Sequence, residues 1–318
     1  MRYPRLSSAA GPAPAGAGPA AGLALPPLVA VAHGSADPRA AATITELMEL
    51  VREMAGLRGL PALDARTAYL GHAPPSVRQV LGALAGAEPA STVTGPAHAV
   101  TEAASAAAAP RPVVVLPLLL TAAYHSEVDL PALLDEARGA LPALSVSYGE
   151  VLGPDPLLLR ALDRRLAESG VAGPPGDIAV VLAAAGSGRP AENAAVARLA
   201  ASWQAARGWR AVVPAYAAAA APTPAAAVSA LLRGGAPRVV VATYLLAPGL
   251  FADQVAEASR RAGAAAVSGA LGAAPEVAAI VLRRYAAAIA RPGRIGPDPA
   301  TERPGLSLDL LAGLGGRR

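Results

Sequence analysis

Two histidines stand at the ends of apolar runs and carry the sharpest chemical signal in this 318-residue chain. His33 closes Val29-Ala30-Val31-Ala32-His33 and is followed at once by Gly34-Ser35. His125 follows the longer run from Val113 through Leu120 and the short connection Thr121-Ala122-Ala123-Tyr124. Imidazole exchanges protons near neutral pH and ligates divalent metals, so the pair suits proton acceptance, metal binding, or both in turn. A lone histidine at a strand end is more often structural than a ligand, so the weight rests on there being two. His72, after Leu70-Gly71, reads either as a further ligand or as an ordinary loop residue, and His98 lies in a low-complexity stretch and reads as a surface residue. The chain has no cysteine, so disulfides and thiolate sites are excluded and any metal must be held by nitrogen or oxygen.

These side chains need elements to position them, and the apolar periodicity supplies a repeated strand–helix programme. Val29–His33 reads as a strand whose end places His33 where open α/β sheets bind ligands. Asp37 then caps a helix over Pro38–Leu57, with proline at its first position and Ile44, Leu47, Met48 and Val51 on one face. Leu63–Leu70 reads as a strand, Pro75–Leu84 as a helix, and Val113–Leu120 as a strand buried on both faces. Leu130–Ala140, Leu144–Tyr148 and Pro156–Glu168 continue as helix, strand and helix. Asp129 reads either as the cap of the helix that follows it or, with Glu127, as an orienting partner of His125. Residues 88–111, rich in Ala, Ser, Thr and Pro, read as a surface insertion. Strands alternating with helices predict an α/β fold with parallel sheets.

After the linker Ser169–Gly176 the programme runs again. Ile178–Ala184 with Gly186-Ser187 mirrors the opening stretch, Val212–Tyr216 and Pro222–Leu232 mirror the second strand and helix, and Val239–Phe251 mirrors the third strand and its loop. Leu271-Gly272 echoes Leu152-Gly153. The chain therefore reads as two tandem α/β domains made by internal duplication, 27–168 carrying the histidines and 177–290 a degenerate copy. Residues 1–26 and 291–318 are Ala/Gly/Pro/Arg-rich and are expected to be a disordered extension and tail. The duplication is an internal control: His33 becomes Ala185 and His125 becomes Phe251, so this backbone does not require either imidazole.

Composition narrows the partners. Hydrophobic residues make up 53% of the chain, but much of this is alanine, and no run of about 20 strongly apolar residues escapes proline or charge. A soluble, cytoplasmic protein without a membrane partner is expected. The net charge is +4 and all the basic residues are arginine, which favours a small polyanionic ligand. With aromatics at 3%, stacking platforms for bases are scarce and nucleic acid is not expected.

Three motifs in order carry a family resemblance: Ala32-His33-Gly34-Ser35-Ala36-Asp37-Pro38-Arg39, then Tyr69-Leu70 with Pro75-Ser76, then Pro117–Leu120 with Tyr124-His125 and Asp129-Leu130-Pro131. Together they resemble the class II tetrapyrrole chelatases of the sirohydrochlorin chelatase type, in the long form with both copies on one chain. The resemblance covers residues 27–290 and implies two flavodoxin-like domains facing each other across a cleft. It implies insertion of Fe²⁺ or Co²⁺ into sirohydrochlorin, for sirohaem or cobalamin synthesis, without ATP and with no cofactor beyond the substrate metal. His33 and His125 would then be metal ligands and proton acceptors. His72 stands near where many relatives carry an acidic residue, and either replaces that third ligand or is a loop residue. Ser35, Arg39 and Arg189 are candidate contacts for the substrate's carboxylates, although a turn serine and a first-turn arginine are explained equally well by structure. A monomer is expected, since both halves are on one chain. The competing expectation is a non-catalytic carrier that holds a metal or a tetrapyrrole without turnover.

Overall fold

The structure, a computed structural model, describes residues 25–60, 62–86, 109–121 and 128–291. The expected insertion at 88–111, the terminal extension and tail, His98 and His125 lie wholly or almost wholly outside these residues.

The first half runs β1 (Leu28–Ala32), α1 (Pro38–Leu57), β2 (Ala65–Tyr69), α2 (Val77–Ala85), β3 (Arg111–Pro117), α3 (Leu130–Ala140), β4 (Leu144–Tyr148) and α4 (Pro156–Glu168). The second half repeats it as β5 (Ile178–Ala184), α5 (Pro190–Arg207), β6 (Ala211–Tyr216), α6 (Pro224–Arg233), β7 (Arg238–Tyr244), α7 (Leu250–Arg261), β8 (Ala266–Val267) and α8 (Pro275–Ile289). Each half forms a parallel four-stranded sheet, ordered β2-β1-β3-β4 and β6-β5-β7-β8, which is a flavodoxin-like order. The order reverses direction beside β1 and beside β5, so in each sheet the loops leaving the carboxyl ends of these strands open a crevice.

Capping chemistry sets the approach to that crevice. Asp37 sits at the N-cap of α1, where its carboxylate accepts from the Arg39 N–H at 2.9 Å, and Pro38 follows. Ser76 caps α2 through a reciprocal pair with Gln79, so this helix begins at Val77 rather than at Pro75 as the sequence suggests. β3 ends at Pro117, three residues before the apolar run does; Leu118–Leu120 leave the ladder to line the crevice. Asp129 stands before α3 but its side chain makes no capping bond.

The strands are buried on both faces, and alternate residues enter different cores. Val29 and Val31 pack outward with α2 and α3, while Leu28, Ala30 and Ala32 face a core shared by both halves. Ala179, Val181 and Ala183 likewise pack outward, and Ile178, Val180, Leu182 and Ala184 enter the same shared core. Within it the last helices change sides: α4 packs on β7 of the second sheet, and α8 packs on β3 and β4 of the first. Trp203 on α5 donates to Asp163 on α4 at 3.1 Å, and Arg164 on α4 pairs with Glu276 on α8 at 2.6 Å. Among the described residues no helix is long and apolar enough to cross a membrane.

Candidate functional site

The loops after β1, β3, β5 and β7 meet at one cleft of ≈ 1030 Å³ between the two halves. Its first wall carries His33, Ser35, Asp37 and His72; its second carries Ser187, Arg189, Glu192 and Phe251.

His33 is the first residue beyond β1 and is exposed. Gly34, immediately after it, has φ +91°, and a Cβ there would lie 1.7 Å from the Gly71 carbonyl oxygen. Glycine is thus required so that the β1 and β2 loops can touch. The Gly71 N–H donates to the His33 carbonyl at 3.2 Å, which holds the two loops side by side. His72 therefore arrives next to His33, with ring centroids 6.0 Å apart and ring planes 17° apart. The His33 Nδ1 lies 3.2 Å from the Gly34 carbonyl, a contact satisfied by the tautomer with its proton on Nδ1. That tautomer leaves Nε2 as the ring's acceptor, the usual arrangement in a metal-ligating histidine. Imidazole binds a metal in the plane of its ring, so these near-parallel rings would hold one cation together only after one of them turns about its side-chain bonds.

The second half repeats this backbone without the imidazoles. Gly186 has φ +87° and would clash with the Ala218 carbonyl at 2.0 Å, and the Ala218 N–H donates to the Ala185 carbonyl at 2.9 Å. His72 has φ +61° and Ala219 has φ +59°. The left-handed conformation at His72 therefore belongs to the duplicated fold, and the side chain alone distinguishes the two loops. The ladder registers pair Val31 with Pro117 and Ala183 with Thr243, so β3 and β7 hold the same place in the two sheets. His125 itself lies outside the described residues, and among those residues no group of three His, Cys, Asp or Glu side chains forms a metal cage.

Arg39 is held by two carboxylates. Its guanidinium donates to Asp37 at 2.5–3.1 Å and, across the cleft mouth, to Asp253 on α7 at 2.6 Å. The Arg39 hydrogen bonds hold the Asp37 carboxyl below the usual carboxylate range, and Asp37 and Asp253 push the guanidinium's own pKa up. Ser35 Oγ accepts from the Asp37 N–H at 3.1 Å, and Ser187 Oγ accepts from the Arg189 N–H at the same distance. Arg189 is the N-cap of α5 and thus matches Asp37 of the first half, while Ala191 matches Arg39. Arg189 Nε lies 3.4 Å from Glu192.

Sequence reasoning missed Asp253, Glu192 and Phe251 as wall residues. Laying one copy on the other exposes the signal for Glu192, because Ala40 holds its place in the first half. Behind the wall, burial and the Asp155 charge raise the pKa of the Tyr244 phenol, which donates to the Leu120 carbonyl at 3.3 Å.

Comparison with known proteins gives the family and a likeness of fold. The profile of the CbiX family matches residues 27–169 and 179–288. A sirohydrochlorin cobaltochelatase from Priestia megaterium is 30% identical over 147 residues, 46% of this chain and 48% of the relative. A sirohydrochlorin ferrochelatase from Bacillus subtilis is 27% identical over 143 residues, 45% of this chain and 54% of the relative. The chain thus spans about half the length of the curated relatives it matches. The structure of SirB from Bacillus subtilis with Fe³⁺ superposes with a TM-score of 0.64 at 21% identity, covering 82% of this chain and 94% of SirB, a likeness of fold.

Proposed function

The chain belongs to the CbiX family, and on that premise we propose that it inserts Co²⁺ or Fe²⁺ into sirohydrochlorin without nucleotide hydrolysis. The observation that carries the reading is the His33–His72 pair on one wall of a cleft, where the matching positions of the second half are Ala185, which lines the other wall, and Ala219. The imidazoles found among the described residues are thereby on one wall, which suits a flat macrocycle lying between two unlike surfaces.

Metal insertion into a free-base tetrapyrrole forms four metal–nitrogen bonds and breaks two N–H bonds. The protein's part is to strip water from the cation, present it to the ring and take up the protons. Neutral imidazole does the first two as a ligand that suits Fe²⁺ and Co²⁺, and the third once the metal has moved on. His33 and His125 are assigned both roles, with His72 as third ligand. Ser35, Arg39 and Arg189 line or flank the cleft and are assigned to the substrate's carboxylates. For Arg39 this means exchanging Asp253 for a substrate carboxylate, which a pair exposed to water permits at little cost. The relatives' names divide between cobalt and iron, and imidazole accepts both. Chelatase and carrier are separated by mixing a trace of the chain with excess sirohydrochlorin and either metal under anaerobic conditions. The visible spectrum should report many equivalents of metallated product per chain. Product that stops at one equivalent, or forms no faster than without protein, rejects the enzyme in favour of the carrier.

A further inference from the structure

Glu192 is the charged side chain in the cleft that the account so far leaves unused. It lies in the first turn of α5, lines the cleft and is only 7% exposed, yet among the described residues neither carboxylate oxygen has a hydrogen-bond partner. Among the described residues its neighbour of opposite charge is Arg189, whose Nε stands 3.4 Å from Oε1. A buried carboxylate without hydrogen bonds is costly, and such groups are few in folded proteins.

The fold does not explain it. Asn193, the next residue, pins the Ser187 turn by accepting from the Ser187 N–H at 3.1 Å and donating to its carbonyl at 2.7 Å. Glu192 forms no such bond and completes no capping box, because the Arg189 N–H is taken by Ser187 Oγ. At the equivalent position the first half places Ala40, which also lines the cleft. An acidic residue near a helix N-terminus is mildly favourable when exposed, but that does not account for one held in a recess without hydrogen bonds.

The chemistry of the occupant does. A tetrapyrrole such as sirohydrochlorin is a polycarboxylate at its rim, and rim carboxylates are repelled by Glu192. The donors such a molecule has to offer an anion are the N–H groups at its centre. Resting on the chelatase reading above, we infer that Glu192 is a second proton acceptor for the macrocycle core, acting from the wall that lacks the histidines. As M²⁺ enters and four metal–nitrogen bonds form, two N–H bonds break. One proton passes to a Glu192 oxygen, the other to an imidazole of the opposite wall, and both are released to solvent with the product. Arg189 supplies the positive charge that keeps the carboxylate tolerable between turnovers.

Glu192→Gln tests this in the full chain, since it keeps the volume and removes the basic oxygen. Wild-type turnover is measured first. The variant should lower kcat by about 100-fold, the low end for a positioned acid–base group. Calorimetric Co²⁺ affinity and the KM for sirohydrochlorin should be unchanged, and Glu192→Asp should restore part of kcat. Because the carboxylate removed is buried without a hydrogen bond and its ion pair with Arg189 is long, the melting temperature should change little; Glu192→Ala, copying Ala40, is the second variant should glutamine disturb the loop. Wild-type kcat in either folded variant overturns the inference while leaving the chelatase reading in place. Weakened Co²⁺ binding would make Glu192 a metal ligand and also overturn it. A wild-type chain that does not turn over removes the chelatase reading and this inference with it.

Discussion

Ala185 and Ala219 show what the backbone around His33 and His72 tolerates, and this makes substitutions there interpretable. His33→Ala reproduces the second half's own residue at an exposed site, so it should leave the melting temperature unchanged and lower turnover by about 100-fold or more. His125→Ala should do the same and His72→Ala should have a smaller effect, each followed by absorbance of the metallated product. Near wild-type turnover in His33→Ala would remove the residue from the mechanism. Gly34 gives the opposite behaviour. A Cβ there meets the Gly71 carbonyl at 1.7 Å with φ already at +91°, so Gly34→Ala should cost on the order of 3 kcal/mol in urea unfolding. The position of His33 and Gly34 at the mouth of the cleft was readable in sequence because an apolar run, a histidine and a Gly-Ser turn stand next to one another. The Arg39–Asp253 pair was not, since its partners are 214 residues apart and no local pattern links them. Glu192 lay hidden for a different reason: a glutamate in a first helical turn looks like an ordinary solvated residue until its burial is seen.

Among the elements, α1 was readable to the residue because Asp37-Pro38 fixes its start and the stripe Ile44, Leu47, Met48, Val51 fixes its face. Boundaries slipped where a cap competed with apolarity, as at Ser76, or where an apolar run continued past the ladder, as at Leu118–Leu120. The exchange of α4 and α8 between sheets left no trace in periodicity, since a helix's apolar stripe does not say which sheet it covers. The Arg164–Glu276 pair ties these helices together. Burial alone would raise the Glu276 carboxyl, but the Arg164 hydrogen bond and charge outweigh it and hold the group below its ordinary value of 4.5. A depressed carboxyl stabilises the fold above its unfolded pKa, and that contribution is lost as pH falls through the folded one. Glu276→Gln should therefore lower stability at pH 7, and the gap to wild type should close as the pH is brought below about 4. Parallel denaturation curves at both pH values, with a constant gap, would show that the pair contributes through packing and not charge.

At the scale of the whole molecule, the two copies are one cooperative body because each covers the other's sheet. α8 buries Val277, Ile280, Val281, Leu282 and Tyr285, and these side chains lie in the shared core against which β3 and β4 pack. At about 1.5–3 kcal/mol per buried side chain their contribution is on the order of 10 kcal/mol, as large as the net stability of a typical domain. Residues 27–168 expressed alone should consequently be unfolded or self-associated, as circular dichroism and light scattering would report; a monomeric, cooperatively melting fragment would contradict the exchange. The same exchange gives the cleft two unlike walls in fixed register, one with imidazoles and one without, and the central claim is that the metal enters from the first. An anomalous difference map of Co²⁺-soaked crystals, collected at the cobalt edge, tests this most directly. The account predicts a single strong peak within coordinating distance of His33 Nε2, on the cleft side and shared with His125, His72 or both. A peak anywhere else, or a cleft left empty while cobalt binds surface carboxylates, would contradict it.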